Sequence, residues 1–393
     1  MARIGIFGGS FNPPHLGHTL AVEEFYRKLS LDRVLIIPAA VPPHKRLTPG
    51  SAGAEARLEM TRLAMRELPY VTVSDMELRR EGPSYTADTI TLLREEHPDD
   101  ELYLLMGTDM FLSFDRWRAP EVIAHEVTLV AARRTADSRL EEQAETLRRA
   151  LGARVLLLDN DCLPYSSTSV RALLAFGCGE HFLAGAVADY IRENGLYFAG
   201  KTLRALPYAL LEEHCLALYK PGRVQHALGT AQTARHLALQ YGEDPDDAQR
   251  AGILHDITKA LSPEEQLFLC KSYELPLNDF ERRYPKTLHA KTGAAVAARI
   301  FGESEAVCSA VRWHTTGRAG MTPLEKILYL ADYIEPNRTT PGVDRLRALC
   351  EKSLDLGMKM GLEMVIRYLT ERGEAIDENT VLAMEDLNKG GST

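Results

Sequence analysis

The sequence predicts an α/β doubly wound parallel sheet in its first half and an all-α domain in its second. Strand-length apolar runs alternate with helical patterns as far as about residue 198, those runs then stop, and helical periodicity takes over from about Tyr208 to the end. At 393 residues the chain also exceeds one typical domain. The expected organisation is an α/β domain over residues 1–198, a linker over 199–207 and a helical domain over 208–393.

The first strand is the apolar run at residues 4–7, which leads into Gly8-Gly9-Ser10-Phe11-Asn12-Pro13-Pro14-His15-Leu16-Gly17-His18. Glycines let backbone N–H groups come close to a phosphate, and the proline pair stands where a helix can begin. That helix should run to about Tyr26, with His15 and His18 on one face of its first turn, beside the free N–H groups and the positive dipole end. Two imidazoles there suit a triphosphate and the charge that builds on a transferring phosphoryl group. The pattern is not GxGxxG, so a bound NAD cofactor is not implied.

Further strands are expected at residues 34–38, 70–73, 102–106, 127–131 and 155–158, with helices around 55–67, 85–96, 120–124, 138–151 and 182–193, the last stopping at Asn194-Gly195. In such sheets ligands sit at the carboxyl ends of the strands, where the polar motifs fall. Lys45, in Pro42-Pro43-His44-Lys45, offers a cation to a phosphate or is a solvated loop lysine. Asp109, in Gly107-Thr108-Asp109, can accept from ribose hydroxyls. Ser84-Tyr85-Thr86 reads first as a helix N-cap. Trp117 either stacks on a flat ring or plugs the core, and Arg133-Arg134 either clamp a phosphate or form surface ion pairs. Ser166-Ser167-Thr168-Ser169-Val170-Arg171 opens a helix as a second anion site or as an ordinary N-cap.

His15-Leu16-Gly17-His18 matches the HxGH signature of the nucleotidyltransferase superfamily. With the glycine loop and the later motifs in order, residues 1–198 resemble the bacterial nicotinate mononucleotide adenylyltransferases. The resemblance implies a Rossmann-like fold in which Gly8, Gly9, Ser10, Phe11, His15, His18, Gly107, Asp109, Ser166, Ser167 and Thr168 hold ATP. Lys45, Tyr85, Thr86, Trp117 and Arg133 would face the mononucleotide. The implied reaction is attack of the mononucleotide phosphate on the α-phosphorus of ATP, with His15, His18, Lys45, Arg171 and a magnesium ion carried by ATP stabilising charge. The family's ISSTxIR segment stands here as Tyr165-Ser166-Ser167-Thr168-Ser169-Val170-Arg171, departing at both apolar positions. Nicotinamide mononucleotide and phosphopantetheine remain alternative acceptors.

In the helical half, His226, His255, Asp256, His289, His314 and Asp332 appear in order within helical patterns, several in apolar stretches where an unpaired carboxylate or imidazole is costly to bury. A metal centre removes that cost. Mixed His and Asp ligands suit iron, manganese or zinc, and two neighbouring ions with a bridging carboxylate can activate water against a phosphate ester. Residues 218–387 resemble the HD phosphohydrolase superfamily, and Trp313-His314-Thr315-Thr316-Gly317-Arg318 with Leu324 to Arg338 look like its symmetrical diadenosine tetraphosphate hydrolases. The resemblance implies two transition-metal ions, iron favoured, and cleavage of diadenosine tetraphosphate to two ADP, with Asp256 and Lys259 in catalytic positions and Lys259, Arg318 and Arg338 as phosphate contacts. A different nucleotidase or phosphodiesterase, or a module that senses a nucleotide, remain alternatives for this half.

A net charge of −9 argues against non-specific nucleic-acid binding, so the expected partners are the small molecules ATP, nicotinate mononucleotide and diadenosine tetraphosphate. Homo-oligomerisation is left open. The six cysteines lack CxxC or zinc-finger spacing and read as reduced thiols. With no signal peptide ahead of the first strand and no apolar run of membrane-spanning length, a cytoplasmic enzyme with no membrane partner is expected.

Overall fold

A computed structural model describes residues 1–43, 50–133, 138–159, 165–201 and 203–390. The chain divides into two compact units, Met1–Ala199 and Gly200–Thr393.

The first unit is built on six parallel strands, β1 (Arg3–Gly9), β2 (Arg33–Pro38), β3 (Val71–Val73), β4 (Glu101–Met106), β5 (Thr128–Arg133) and β6 (Arg154–Asp159), in the order β3-β2-β1-β4-β5-β6. The expected α/β sheet is observed. Its strands are near-continuous Val, Ile and Leu runs because helices cover both faces; Leu102 to Met106 of β4 are all buried. The helices are α1 (Leu16–Lys28), α2 (Ala54–Met65), α3 (Thr86–Glu96), α4 (Thr108–Leu112), α5 (Pro120–Glu126), α6 (Ser138–Leu151), α7 (Ser167–Ala175) and α8 (Gly185–Glu193).

Strand β1 lies between β2 and β4, with Ile6 beside Leu35 on one side and Leu104 on the other. The strand order reverses between β1 and β4, which opens a crevice at their carboxyl ends. The glycine loop leaves β1 there, and Gly107 leaves β4.

Two local expectations change. The proline pair does not open α1: Pro13 follows a cis peptide bond, Pro14 follows in turn, and His15 is the N-cap in extended conformation, with φ −138°. His15 therefore stands at the helix entrance and His18 in its first turn. Ser84 does not cap α3, whose N-cap is Tyr85. Its hydroxyl instead accepts from the N–H groups of Ala40 (3.0 Å) and Val41 (3.3 Å), fastening the chain as it leaves β2.

The second unit is helical, as expected: α9 (Tyr208–Leu218), α10 (Val224–Tyr241), α11 (Pro245–Leu254), α12 (Pro263–Ser272), α13 (Asp279–Arg283), α14 (Leu288–Val296), α15 (Glu305–Trp313), α16 (Pro323–Ile334), α17 (Val343–Cys350), α18 (Leu354–Glu371) and α19 (Glu378–Gly390). Small residues bring α10 and α11 together, and a Cβ on Gly252 would lie 2.5 Å from Ala231 Cα. Ile327, Leu328, Leu330 and Ala331 bury α16 in the core, which carries Asp332 inward. Within the expected linker, Leu203 is buried, Arg204 donates to the Arg299 carbonyl (3.1 Å), and the Ala205 N–H to that of Phe301 (3.3 Å), so these residues are fastened to the helical unit.

Among the described residues no helix is long and apolar enough to cross a membrane. Cys178, Cys215, Cys270, Cys308 and Cys350 are free thiols; Cys162 lies outside the described residues.

Candidate functional sites

The glycine loop is shaped by buried polar groups that hold its carbonyls inward. Arg57 of α2, fully buried, donates to the carbonyls of Ser10 (2.7 Å), Ala40 (2.9 Å) and Ala52 (3.3 Å). Arg171 of α7 donates to the Asn12 carbonyl (2.6 Å), Ser167 Oγ to that of Pro13 (3.0 Å), and the Tyr197 hydroxyl to Asn12 Oδ1 (2.7 Å). Phe11 is held at φ +44°, a left-handed conformation that costs a residue with a Cβ about 1–3 kcal/mol. Edge contacts of its ring with Phe7 (5.7 Å) and His18 (5.2 Å), in a fully buried setting, offset that cost.

What the loop leaves facing outward is suited to an anion. Gly8 is exposed, and a Cβ there would meet only the Ile37 carbonyl at 4.0 Å, so no protein contact demands glycine. The His15 and His18 rings lie 3.8 Å apart, and the His15 backbone N–H donates to His18 Nδ1 at 3.1 Å. That bond assigns the proton of a neutral His18 to Nε2, making it a donor.

The other expected residues take separate places. Gly107 and Asp109 are exposed at the start of α4, next to β1 across the crevice, and Thr108 Oγ1 ties this turn to the Ala132 carbonyl (2.9 Å). Ser166 is the N-cap of α7, accepting from the Ser169 N–H (3.1 Å), and Ser167 and Thr168 are its first two residues. Tyr85 carries the Arg118 guanidinium 4.4 Å over its ring, with Thr86 opening α3. Trp117 is half-buried against Phe114 (5.3 Å) at the edge of the core. Arg133 pairs with Glu141 and Asp159, both at 2.6 Å, the ion-pair side of its two readings. Lys45 and Arg134 lie outside the described residues. The structure thus draws the glycine loop, both histidines, Ser167 and Arg171 into one bonded cluster, and gives Tyr85, Trp117 and Arg133 partners of their own. Arg57 and Tyr197 were missed; an arginine in the amphipathic pattern of α2 and a tyrosine near a helix end carry no sequence signal for this role.

In the second unit all six expected ligands converge. His226 comes from α10, His255 and Asp256 from the turn after α11, His289 from α14, His314 from the end of α15 and Asp332 from α16. All six side chains are buried or nearly so. Asp256 is the centrepiece. Its Oδ2 lies 3.5 Å from His255 Nε2 and 3.9 Å from His226 Nε2, while its Oδ1 lies 3.3 Å from His289 Nε2 and 3.7 Å from His314 Nε2. Asp332 Oδ1 adds a contact of 3.1 Å to His226 Nε2. One carboxylate thus stands between two pairs of imidazoles.

Each histidine turns Nδ1 away from the centre. His255, His289 and His314 place it 2.7–2.8 Å from the carbonyls of Gly252, Lys286 and Val311, and His226 places it 3.2 Å from Glu335 Oε1. These bonds put the proton on Nδ1 and point the Nε2 lone pair inward. His226 Nε2 and His255 Nε2 then face each other at 3.2 Å, an arrangement that a cation relieves. The donor set of imidazoles and carboxylates fits divalent transition ions, and two ligand groups each come within 4.8 Å: His226, His255 and Asp332; His255, Asp256 and His314.

Without an ion between them the buried groups charge one another: burial opposes a charge on His255, yet the Asp256 and Asp332 carboxylates push its pKa up. Burial opposes the charge on Asp256, yet His255, His314 and His289 hold its carboxyl well below the usual range. Burial, with the Lys259 ammonium, pulls His289 down to about 3, so it is neutral and able to ligate. Lys259 Nζ sits 2.8 Å from His289 Nε2, and Arg338 pairs with Asp332 at 2.5 Å. Arg223, not singled out from the sequence, reaches Asp256 Oδ2 at 3.0 Å. Arg318 is committed to buried Glu325 (3.0 Å).

Comparison with known proteins accounts for both units. Residues 6–173 match the cytidylyltransferase-like family model, and residues 223–337 match the HD domain model. A Thermus thermophilus protein named probable nicotinate-nucleotide adenylyltransferase is 43% identical over 196 residues, covering 50% of this chain and 99% of that protein. One of the same name from Carboxydothermus hydrogenoformans is 35% identical over 199 residues, covering 50% and 98%. A crystal structure titled as a predicted HD superfamily hydrolase involved in NAD metabolism, from Clostridium acetobutylicum, is 34% identical, covering 47% of this chain and 98% of that one, with a TM-score of 0.46. Through its first half the chain belongs to the nicotinate-nucleotide adenylyltransferase family, and it carries this domain fused to an HD domain.

Proposed function

We propose that the chain is a bifunctional nucleotide enzyme. Its first unit transfers the adenylyl group of ATP to nicotinate mononucleotide, giving deamido-NAD and pyrophosphate. Its second hydrolyses diadenosine tetraphosphate symmetrically to two ADP.

In the first unit the loop from Gly8 to Phe11 and the start of α1 hold the triphosphate, and His15 and His18 donate to the phosphate oxygens as charge shifts toward pyrophosphate. The acceptor phosphate is itself the nucleophile, so no covalent protein intermediate is needed. Arg57 and Arg171 act by keeping loop carbonyls away from the phosphates. Asp109 accepts from the ribose, and Lys45 supplies a cation to the mononucleotide side. Magnesium carried by ATP would screen its phosphates.

The hydrolytic reading is carried by one observation: Asp256 faces two imidazoles with each of its oxygens. His226, His255, Asp256, His289, His314 and Asp332 would hold two divalent transition ions, which supply Lewis acidity for activating water and neutralising phosphate. Iron, manganese and zinc all suit these donors. Lys259, Arg223 and Arg338 stand beside the carboxylates and would bind the oxygens of a polyphosphate.

Competition between nicotinate and nicotinamide mononucleotides tests the acceptor, with deamido-NAD expected to dominate; preferential formation of NAD overturns it. For the second unit, Asp256→Ala is expected to lose both metal and hydrolysis while adenylyl transfer continues. Undiminished metal and turnover would sink the assignment.

A further inference from the structure

Four histidines line the metal centre, and one is held differently from the rest. The Nδ1 groups of His255, His289 and His314 each meet a backbone carbonyl three residues earlier in the chain. His226 instead meets the carboxylate of Glu335, 109 residues away, at 3.2 Å. Glu335 is 1% exposed, so this is a buried charge set against the outer nitrogen of a ligand histidine.

Its surroundings fix that carboxylate in place. The backbone N–H and side-chain amide of Asn337 donate to Glu335 Oε2 at 2.8 and 2.9 Å, while Oε1 faces His226, with Arg338 Nε 4.0 Å away. Arg347 of α17 donates to the carbonyls of Ile334, Glu335 and Arg338 at 2.9–3.0 Å, which pins the turn. On the facing helix, a Cβ at Gly229 would lie 2.5 Å from Glu335 Oε2 and 3.4 Å from Asn337 Nδ2. Glycine at that point of α10 leaves the carboxylate its room.

We infer that Glu335 is a positioning residue that makes the His226 side of the centre, shared with His255 and Asp332, the tighter of its two cation positions. The inference rests on the two-ion reading above. A carboxylate accepting the Nδ1 proton makes the imidazole a stronger base at Nε2 than a carbonyl does, and such partners typically change metal affinity 10–100-fold, as a rough guide. The other two histidines that approach Asp256 Oδ1 have no such partner.

The test is a titration of the metal-free full-length protein with Mn2+, following free ion by electron paramagnetic resonance, with thermal melting of the metal-free forms as a check on folding. Wild type is expected to take up two ions in distinguishable steps. Glu335→Gln keeps the shape and an acceptor for Nδ1 but removes the charge, and is expected to weaken the tighter step by roughly 10–100-fold while leaving the weaker one in place. Gly229→Ala, which displaces the carboxylate from the opposite helix, should weaken the same step and provides the test independently of how Glu335→Gln folds. Two unaltered steps, or equal weakening of both with a lowered melting temperature, overturn the inference and leave the two-ion reading standing. A wild-type protein that takes up no Mn2+ contradicts that reading, and the inference with it.

Discussion

The two sites are built in opposite ways. Among the described residues of the first unit, the groups around the glycine loop that are left for a phosphate are backbone N–H groups and two imidazoles, while Arg57 and Arg171 lie beneath, spent on carbonyls. In the second the buried centre is built from carboxylates and imidazole lone pairs, which repel phosphate until cations intervene, and the arginines and Lys259 stand on those carboxylates. A loop over a helix N-terminus can therefore accept a magnesium-bound triphosphate from solution. On the proposed hydrolase reading, the HD centre must hold its own ions before it can act on a phosphate ester.

That contrast predicts that each activity fails alone. The largest effect is expected for Asp256→Ala, which should lower diadenosine tetraphosphate hydrolysis by more than about 10³-fold, beyond the 10²–10³ typical of one lost transition-state donor, with adenylyl transfer unchanged in the same preparation. Next, 1,10-phenanthroline, which takes transition ions in preference to magnesium, should abolish hydrolysis and spare transfer at saturating Mg2+; loss of both together would break the comparison. His18→Ala should lower transfer by about 10²–10³-fold and leave hydrolysis intact, as read from separate initial rates. Arg57→Met would orphan the buried carbonyls of Ser10, Ala40 and Ala52, at about 1–3 kcal/mol each, so the first unit should melt earlier and KM for ATP should rise. Arg133→Gln removes exposed ion pairs with Glu141 and Asp159 and should move stability by less than about 1 kcal/mol in chemical denaturation.

The sequence carries the fold well because its periodicities are strong. The runs ending at Pro38 and Met106 are short, apolar and followed by polar turns, and they become β2 and β4 within a residue of the expected limits. The six His and Asp residues that converge in the second unit were legible for a related reason: imidazoles and carboxylates stand out inside helical stretches that would otherwise exclude them. What supports the sites was not legible. Arg57 lies in an ordinary surface-helix pattern, and only the fold turns it under the glycine loop. Ser84 looked like a helix cap, yet tertiary packing gives its hydroxyl to the chain leaving β2. Glu335 sits in a polar stretch after α16 with nothing local to pair it with His226. Long-range pairs of this kind depend on which elements meet, and periodicity does not encode that.

On the proposed reading, the helical unit is a metal-dependent hydrolase working on a different substrate from the adenylyltransferase unit. The most direct test is to incubate metal-replete protein with diadenosine tetraphosphate, without nicotinate mononucleotide, and to separate the products by chromatography. Two equivalents of ADP per substrate consumed is the predicted result. ATP plus AMP, or no turnover by the metal-replete enzyme, would contradict it.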